Sequence, residues 1–131
     1  VSEVLAASSG CEELVLVSGD FTEDHVLLVE EAGAWRIAGL IDFADARVAP
    51  RDYEWVALWF GALDRDAGAL AAFLQAYDPA LKLDAAFYRR ALAFTLLHEF
   101  GALIIAQTLP RSLQARIGEI DDLLEVLWQP A

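Results

Sequence analysis

An α+β fold is predicted for this chain of 131 residues, with a small β-hairpin unit leading and about four helices following. Three observations predict it. Short apolar runs with β-branched residues lie ahead of Pro50, two of them separated by a glycine-containing turn. After Pro50 the apolar residues recur at helical spacing instead. No repeat, low-complexity tract or internal linker interrupts the series, so 1–131 reads as a single domain, with the hairpin in 1–50 and the helices in 51–131.

Taken in order, Ser2 to Ala7 reads as the tail of a helix ended by Ser8-Ser9-Gly10. Leu14-Val15-Leu16-Val17 is predicted to be a buried strand, broken by Ser18-Gly19-Asp20. His25 to Glu30 and Trp35 to Ile41 form the hairpin, and Gly33 between them is free to take positive φ. Pro50 opens a first helix carrying Trp55, Leu58, Trp59 and Phe60. A second runs from Asp64 or Asp66 to Tyr77 and stops at Asp78-Pro79, a third from near Asp84 to about Leu109, and a fourth from Leu113 to Trp128.

Composition narrows the function. With 21 acidic and 9 basic residues the net charge is −12, which argues against nucleic acid or an anionic membrane surface as partner, because both are held mainly by Lys and Arg. A cationic ligand would be drawn in by such a field. The apolar stretch Ala91 to Leu109 carries His98 and Glu99 at its middle, where a membrane span tolerates them least, so it reads as a buried core helix. Cys11 is the sole cysteine, which rules out an internal disulfide and fits a reducing cytoplasm. Hydrophobic residues reach 57% and methionine is absent. A piece of a longer protein is expected, with apolar surface that would promote self-association.

The chemistry concentrates in Ser18-Gly19-Asp20-Phe21-Thr22-Glu23-Asp24-His25 and Ile41-Asp42-Phe43-Ala44-Asp45-Ala46. Asp20 follows the first strand and Asp42 ends the hairpin's return strand. A hairpin brings its ends together, so Asp20, His25 and Asp42 are predicted to converge. Converging carboxylates beside a histidine can hold a divalent cation and accept a proton, two tasks of phosphoryl transfer. The plainer reading makes both aspartates turn or cap residues.

These segments resemble the aminoglycoside phosphotransferase family and its kinase-like relatives, whose catalytic loop H-G-D-x-x-x-x-N is followed by a hairpin and an I-D-F-G/E-D-A segment. Pro50-Arg51-Asp52-Tyr53-Glu54-Trp55-Val56-Ala57 is similar to that family's next helix start. The resemblance covers about residues 14 to 60. It implies a protein-kinase-like C-terminal lobe and transfer of the γ-phosphate of ATP or GTP to a hydroxyl of a small molecule. Asp20 would be the catalytic base and Asp42 the Mg²⁺ ligand. Thr22, Glu23 and Asp24 would touch the substrate, with Ser18 and Asp45 in support. It further implies an upstream nucleotide-binding lobe that these residues do not contain, so the chain by itself is not expected to turn over.

The sequence departs from that pattern at three places, of which Ala44 in place of glycine is mild. Ser18 replaces the usual histidine, removing a contact behind the loop. His25 replaces a metal-binding asparagine and offers nitrogen where Mg²⁺ prefers oxygen; a hydrogen bond to Asp20 is its alternative role. These losses leave a non-catalytic, kinase-like binding module as the second reading and a metal-dependent hydrolase as a third. Asp45 is paired in expectation with Arg47, His98 is read as a core histidine, and Glu99 as its polar neighbour or a cleft residue. Glu54 is expected to favour the positive end of its helix, and the acidic run Glu119, Asp121, Asp122, Glu125 to form a solvated helix face.

Overall fold

The computed structural model describes residues 14–109, 112 and 117–128; the expected helix tail at Ser2 to Ala7 and Cys11 lie outside them. Within these bounds the fold is α+β, with two antiparallel strand pairs and five helices. Strand β1 (Leu14–Val17) alternates rather than being buried throughout. Val17 is sealed while Leu14 and Leu16 face solvent, so only one side of the strand meets the body.

The hairpin forms from β2 (Val26–Glu31) and β3 (Ala34–Leu40), in the register Val26 opposite Leu40 through Glu31 opposite Ala34, with an irregularity at Leu27/Leu28. Ala32 and Gly33 both take positive φ, 53° and 80°, the signature of a type I′ turn that matches strand twist. Leu28, Trp35 and Ile37 are each more than half exposed. A fourth strand, β4 (Arg47–Pro50), pairs with β1 so that Leu14 faces Pro50 and Val17 faces Arg47. This strand corrects the sequence reading of Pro50 as a helix opener. Its ring, lacking an N–H, ends the strand, and a 3₁₀ turn at Arg51–Tyr53 leads into the helices.

Helix α1 (Glu54–Ala57) passes directly into a π-helical turn, Leu58–Ala62. Helix α2 (Ala67–Tyr77) begins at Asp66, whose carboxylate accepts the Ala69 N–H, and ends at Asp78 as the sequence predicts. The predicted third helix is two: α3 (Ala85–Leu97), capped by Asp84, and α4 (Gly101–Thr108), meeting at 109°. His98 turns the chain with ψ 144°, and Gly101 then lies so close to the Thr95 carbonyl that a Cβ there would stand 2.0 Å from it. No single described helix is long and apolar enough to cross a membrane. The last helix, α5 (Ile120–Trp128), starts later than predicted, and residues 113–116 are outside the described part. Asp122 does not merely face water: its carboxylate accepts the N–H groups of Gly118 and Glu119 at 2.9 Å each, which holds it below the usual carboxylate range.

The core is built where α1, α3 and α5 meet. Trp59 and Trp128 stack with centroids 5.5 Å apart. The Trp59 indole N–H donates to the Leu127 carbonyl at 2.8 Å, and that of Trp128 to the Thr95 hydroxyl at 3.0 Å, so both polar edges are satisfied. Asp52 is buried as well. One oxygen accepts the Trp55 indole N–H (3.0 Å) and the other the Arg90 Nε–H (2.7 Å), which ties the start of α1 to α3. This packing makes a rigid floor beneath the loop that carries Asp20.

Candidate active site

The loop from Ser18 to Thr22 is held from three sides. Gly19 has φ +80°, and a Cβ there would stand 2.8 Å from the Asp45 carbonyl, so the position demands glycine both for its backbone and for its space. Its N–H donates to Glu54 Oε2 at 3.2 Å. Burial pushes the Glu54 carboxyl above its usual range, and the N–H groups of Gly19 and Ser18 oppose that shift by stabilising the charged form. On the second side, Gly61 of the π-helical turn approaches so closely that a Cβ would lie 2.6 Å from the Phe21 carbonyl. The wide turn lets α1 abut the loop without a side chain between them.

The third side is histidine. His25 Nδ1–H donates to the Asp20 backbone carbonyl at 2.7 Å, so in the neutral ring the lone pair sits on Nε2. Nε2 lies 3.7 Å from Asp42 Oδ2, beyond hydrogen-bond distance. Asp42 holds φ +61°, uncommon for a residue other than glycine. Its carboxylate is more than half exposed, and its Oδ1 lies 3.4 Å from the Ala44 N–H. Among the described residues no three His, Cys, Asp or Glu side chains gather as a metal site. The Asp42 carboxylate alone thus offers oxygen donors suited to a hard cation such as Mg²⁺, which keeps several waters and takes phosphate oxygens for its remaining positions, whereas the His25 nitrogen is a poor ligand for it.

Asp45 does not pair with Arg47 through its carboxylate. The Arg47 Nε–H donates to the Asp45 carbonyl (3.0 Å), and the rest of the guanidinium forms an ion pair with Glu99. That ion pair gives Glu99 a partner across the β4–α3 junction and raises the Arg47 pKa, chiefly through the Glu99 hydrogen bond. Arg47 also lies over the Tyr53 ring, 5.6 Å from its centroid, and Tyr53 stacks on His98 at 4.3 Å. The Tyr53 hydroxyl accepts the Glu99 N–H at 3.1 Å. Glu23 and Asp24 are exposed in a 3₁₀ turn, and neither lines the cavity beside Asp20.

A cavity of about 640 Å³ opens beside the loop. Asp20 and Thr22 contribute one wall, Phe60 and Arg65 another, and His98 and Leu103 a third. Asp42 and His25 are not among its lining residues, so Asp20 is the group shared between the cavity and the His25–Asp42 side. His98 is buried. The Phe100 N–H donates to its Nδ1 at 3.2 Å, which puts the neutral ring's proton on Nε2. Burial, with Arg47 adding to it, holds His98 below the usual imidazole value, while Glu99 and Asp20 pull the other way.

Sequence reasoning missed three members of this arrangement. Glu54, Gly61 and His98 act across 35 or more positions of chain, and the available signals were a carboxylate, a glycine and a histidine inside apolar helices.

No curated protein and no solved structure matches the chain. The sequence model of the phosphotransferase enzyme family, in contrast, matches residues 5–94. That span is more than half of the chain and takes in the glycine-aspartate loop, the hairpin, Asp42, α1, α2 and most of α3; the chain belongs to the phosphotransferase enzyme family.

Proposed function

We propose that the protein moves the γ-phosphate of ATP or GTP to a hydroxyl of a small molecule, using Asp20 as base and Asp42 as the Mg²⁺ ligand. The observation that carries this reading is the position of Asp20, which lines a ligand-sized cavity while its backbone is joined through His25 to the side of Asp42. Asp20 takes the proton of the attacking hydroxyl as its oxygen bonds to the γ-phosphorus and the bond to the leaving nucleoside diphosphate breaks. Mg²⁺, held by Asp42 with His25 beside it, would supply positive charge to neutralise the phosphates. Glu54 and Gly61 fix the loop so that Asp20 need not reorganise. The hairpin and helices are, on this reading, a protein-kinase-like C-terminal lobe.

The test is transfer of labelled γ-phosphate from ATP by the full-length protein. Asp20→Asn should lower kcat by about 10²–10⁴-fold and leave nucleotide binding in place. Unchanged turnover would refute the assignment.

A further inference from the structure

One side chain joins the separate parts of the site. Strand β4 sets Arg47 opposite Val17, which precedes Ser18, Gly19 and Asp20 in the chain. The Arg47 Nε–H donates to the Asp45 carbonyl at 3.0 Å. That carbonyl oxygen is the atom 2.8 Å from the place a Gly19 Cβ would take, and Arg47 Nε stands 3.6 Å from the same place. Arg47 thus holds the segment that follows Asp42 against the loop that carries Asp20. Its Nη2 forms the ion pair with Glu99, and its guanidinium lies over Tyr53, which stacks on His98. His98 and Phe100, the neighbours of Glu99 in the chain, line the cavity. One planar group therefore reaches the loop of the base, the segment of the ion's ligand and the corner that carries a cavity wall. The ion pair is a poor source of stability, because Arg47 and Glu99 are 39% and 49% exposed and water screens them.

We infer that Arg47 is a positioning residue for phosphate transfer, one that fixes the Asp42–Asp45 segment, the Asp20 loop and the His98 corner relative to one another. The inference rests on the reading of Asp20 as the base and Asp42 as the ion's ligand. Transfer needs the attacking hydroxyl, the phosphorus and the cation in line, and a misplacement of about 1 Å can cost about 10²-fold. The two aspartates belong to different backbone segments, so contacts between those segments set their spacing. Arg47 makes such a contact at Asp45 and anchors it at Glu99. A lysine would keep a charge for Glu99. Its single mobile ammonium would not hold the carbonyl and the carboxylate at once in the fixed geometry of a guanidinium plane.

The test uses the full-length protein with γ-labelled MgATP and MgGTP, water serving as the acceptor. Arg47→Lys is expected to lower kcat for phosphate release by about 10- to 100-fold and to change the nucleotide KM by no more than about threefold. Its thermal transition should stay near that of wild type. Arg36→Lys is the control, since the Arg36–Glu31 ion pair lies at the turn end of the hairpin, and it should keep kcat. Amide shifts of the ¹⁵N-labelled protein give a readout without turnover. Those of Gly19, Asp20 and Asp45 should move in Arg47→Lys and stay in place in Arg36→Lys. A purely structural arginine would lower kcat only as far as the folded fraction falls. The inference is overturned by a kcat of Arg47→Lys within about twofold of wild type, by an equal loss in Arg36→Lys, or by a loss that the folded fraction explains. If the wild type releases no phosphate, the phosphotransferase reading falls, and the amide shifts alone decide whether Arg47 sets the loop.

Discussion

The Glu54 carboxylate accepts the Gly19 N–H across 35 positions of chain, so the first residue of α1 fixes the backbone immediately before Asp20. The sequence places Ser18 where a supporting histidine is usual in the resembling family. A carboxylate from the adjoining helix meets the loop directly here, and the Ser18 N–H also stabilises its charge.

Glu54→Ala should therefore destabilise the fold by about 1–3 kcal/mol, since it strands a buried backbone donor. Glu54→Gln keeps an acceptor and should cost about 1 kcal/mol or less. Burial raises the Glu54 carboxyl, so its contribution is fullest below the ordinary glutamate range and declines as pH rises through the folded-state value. The Gln variant should lack that decline. Urea titrations of the three proteins across acidic pH would decide, and an Ala variant as stable as wild type would contradict the clamp.

Gly61→Ala tests the contact on the other side of the loop. The added Cβ meets backbone, the Phe21 carbonyl at 2.6 Å, and cannot be relieved by rotating a side chain. A loss of about 1–3 kcal/mol is expected from overpacking, together with changed amide shifts at Phe21 and Thr22. Gly39→Ala is the control, because nothing lies within 4 Å of its added Cβ. Equal behaviour of the two variants would show that the approach of α1 to the loop is looser than described.

What could be read in the sequence was local. The β2–β3 hairpin follows from alternating runs around Gly33, and with it the approach of His25 to Asp42 and to the Asp20 backbone carbonyl; the three side chains do not gather into the expected cluster. Strand β4 was hidden because Arg47 to Pro50 carries no period of its own, and its strand character comes from pairing with β1 at least 30 positions earlier. The bend between α3 and α4 was hidden because the pattern stays apolar through it. Its one visible sign was Gly101, needed where the chain crosses the Thr95 carbonyl. Glu99 was read by its neighbour His98, yet its partner is Arg47, 52 positions away. The hairpin and most helices were legible; β4, the α3–α4 break and the contacts that aim the loop were not.

His98 makes stability depend on pH. Burial lowers its folded-state pKa below the ordinary value, so as pH falls below about 6.5 the unfolded chain takes up the proton first. Stability is fully present above that value and falls with pH until the folded ring itself titrates. The His98 ring signals should titrate below 6.5 in a two-dimensional NMR series. In His98→Phe, which keeps an aromatic face for Tyr53, the loss of stability between neutral pH and the folded midpoint should be smaller. A His98 midpoint above the ordinary imidazole value would reverse the sign and refute the account.

On the proposed function, Asp42 should separate stability from function. It sits at φ +61°, where a residue with a Cβ is held at a cost of roughly 1–2 kcal/mol, less for aspartate than for most. Its exposed carboxylate makes one long contact with the Ala44 N–H, at 3.4 Å, so little packing is lost with it. Asp42→Gly relieves the backbone and removes the charge, and should change stability by no more than about 1 kcal/mol in either direction. Asp42→Asn tolerates the same backbone and also lacks the charge, so on the proposed function both variants of the full-length protein should lose Mg²⁺-dependent nucleotide binding by calorimetry while keeping their thermal transitions. A structural role would show the opposite pattern, with destabilised variants that still bind nucleotide in proportion to their folded fraction. Loss of binding without loss of stability would mark Asp42 as a residue held in the left-handed region for an ion and not for the fold.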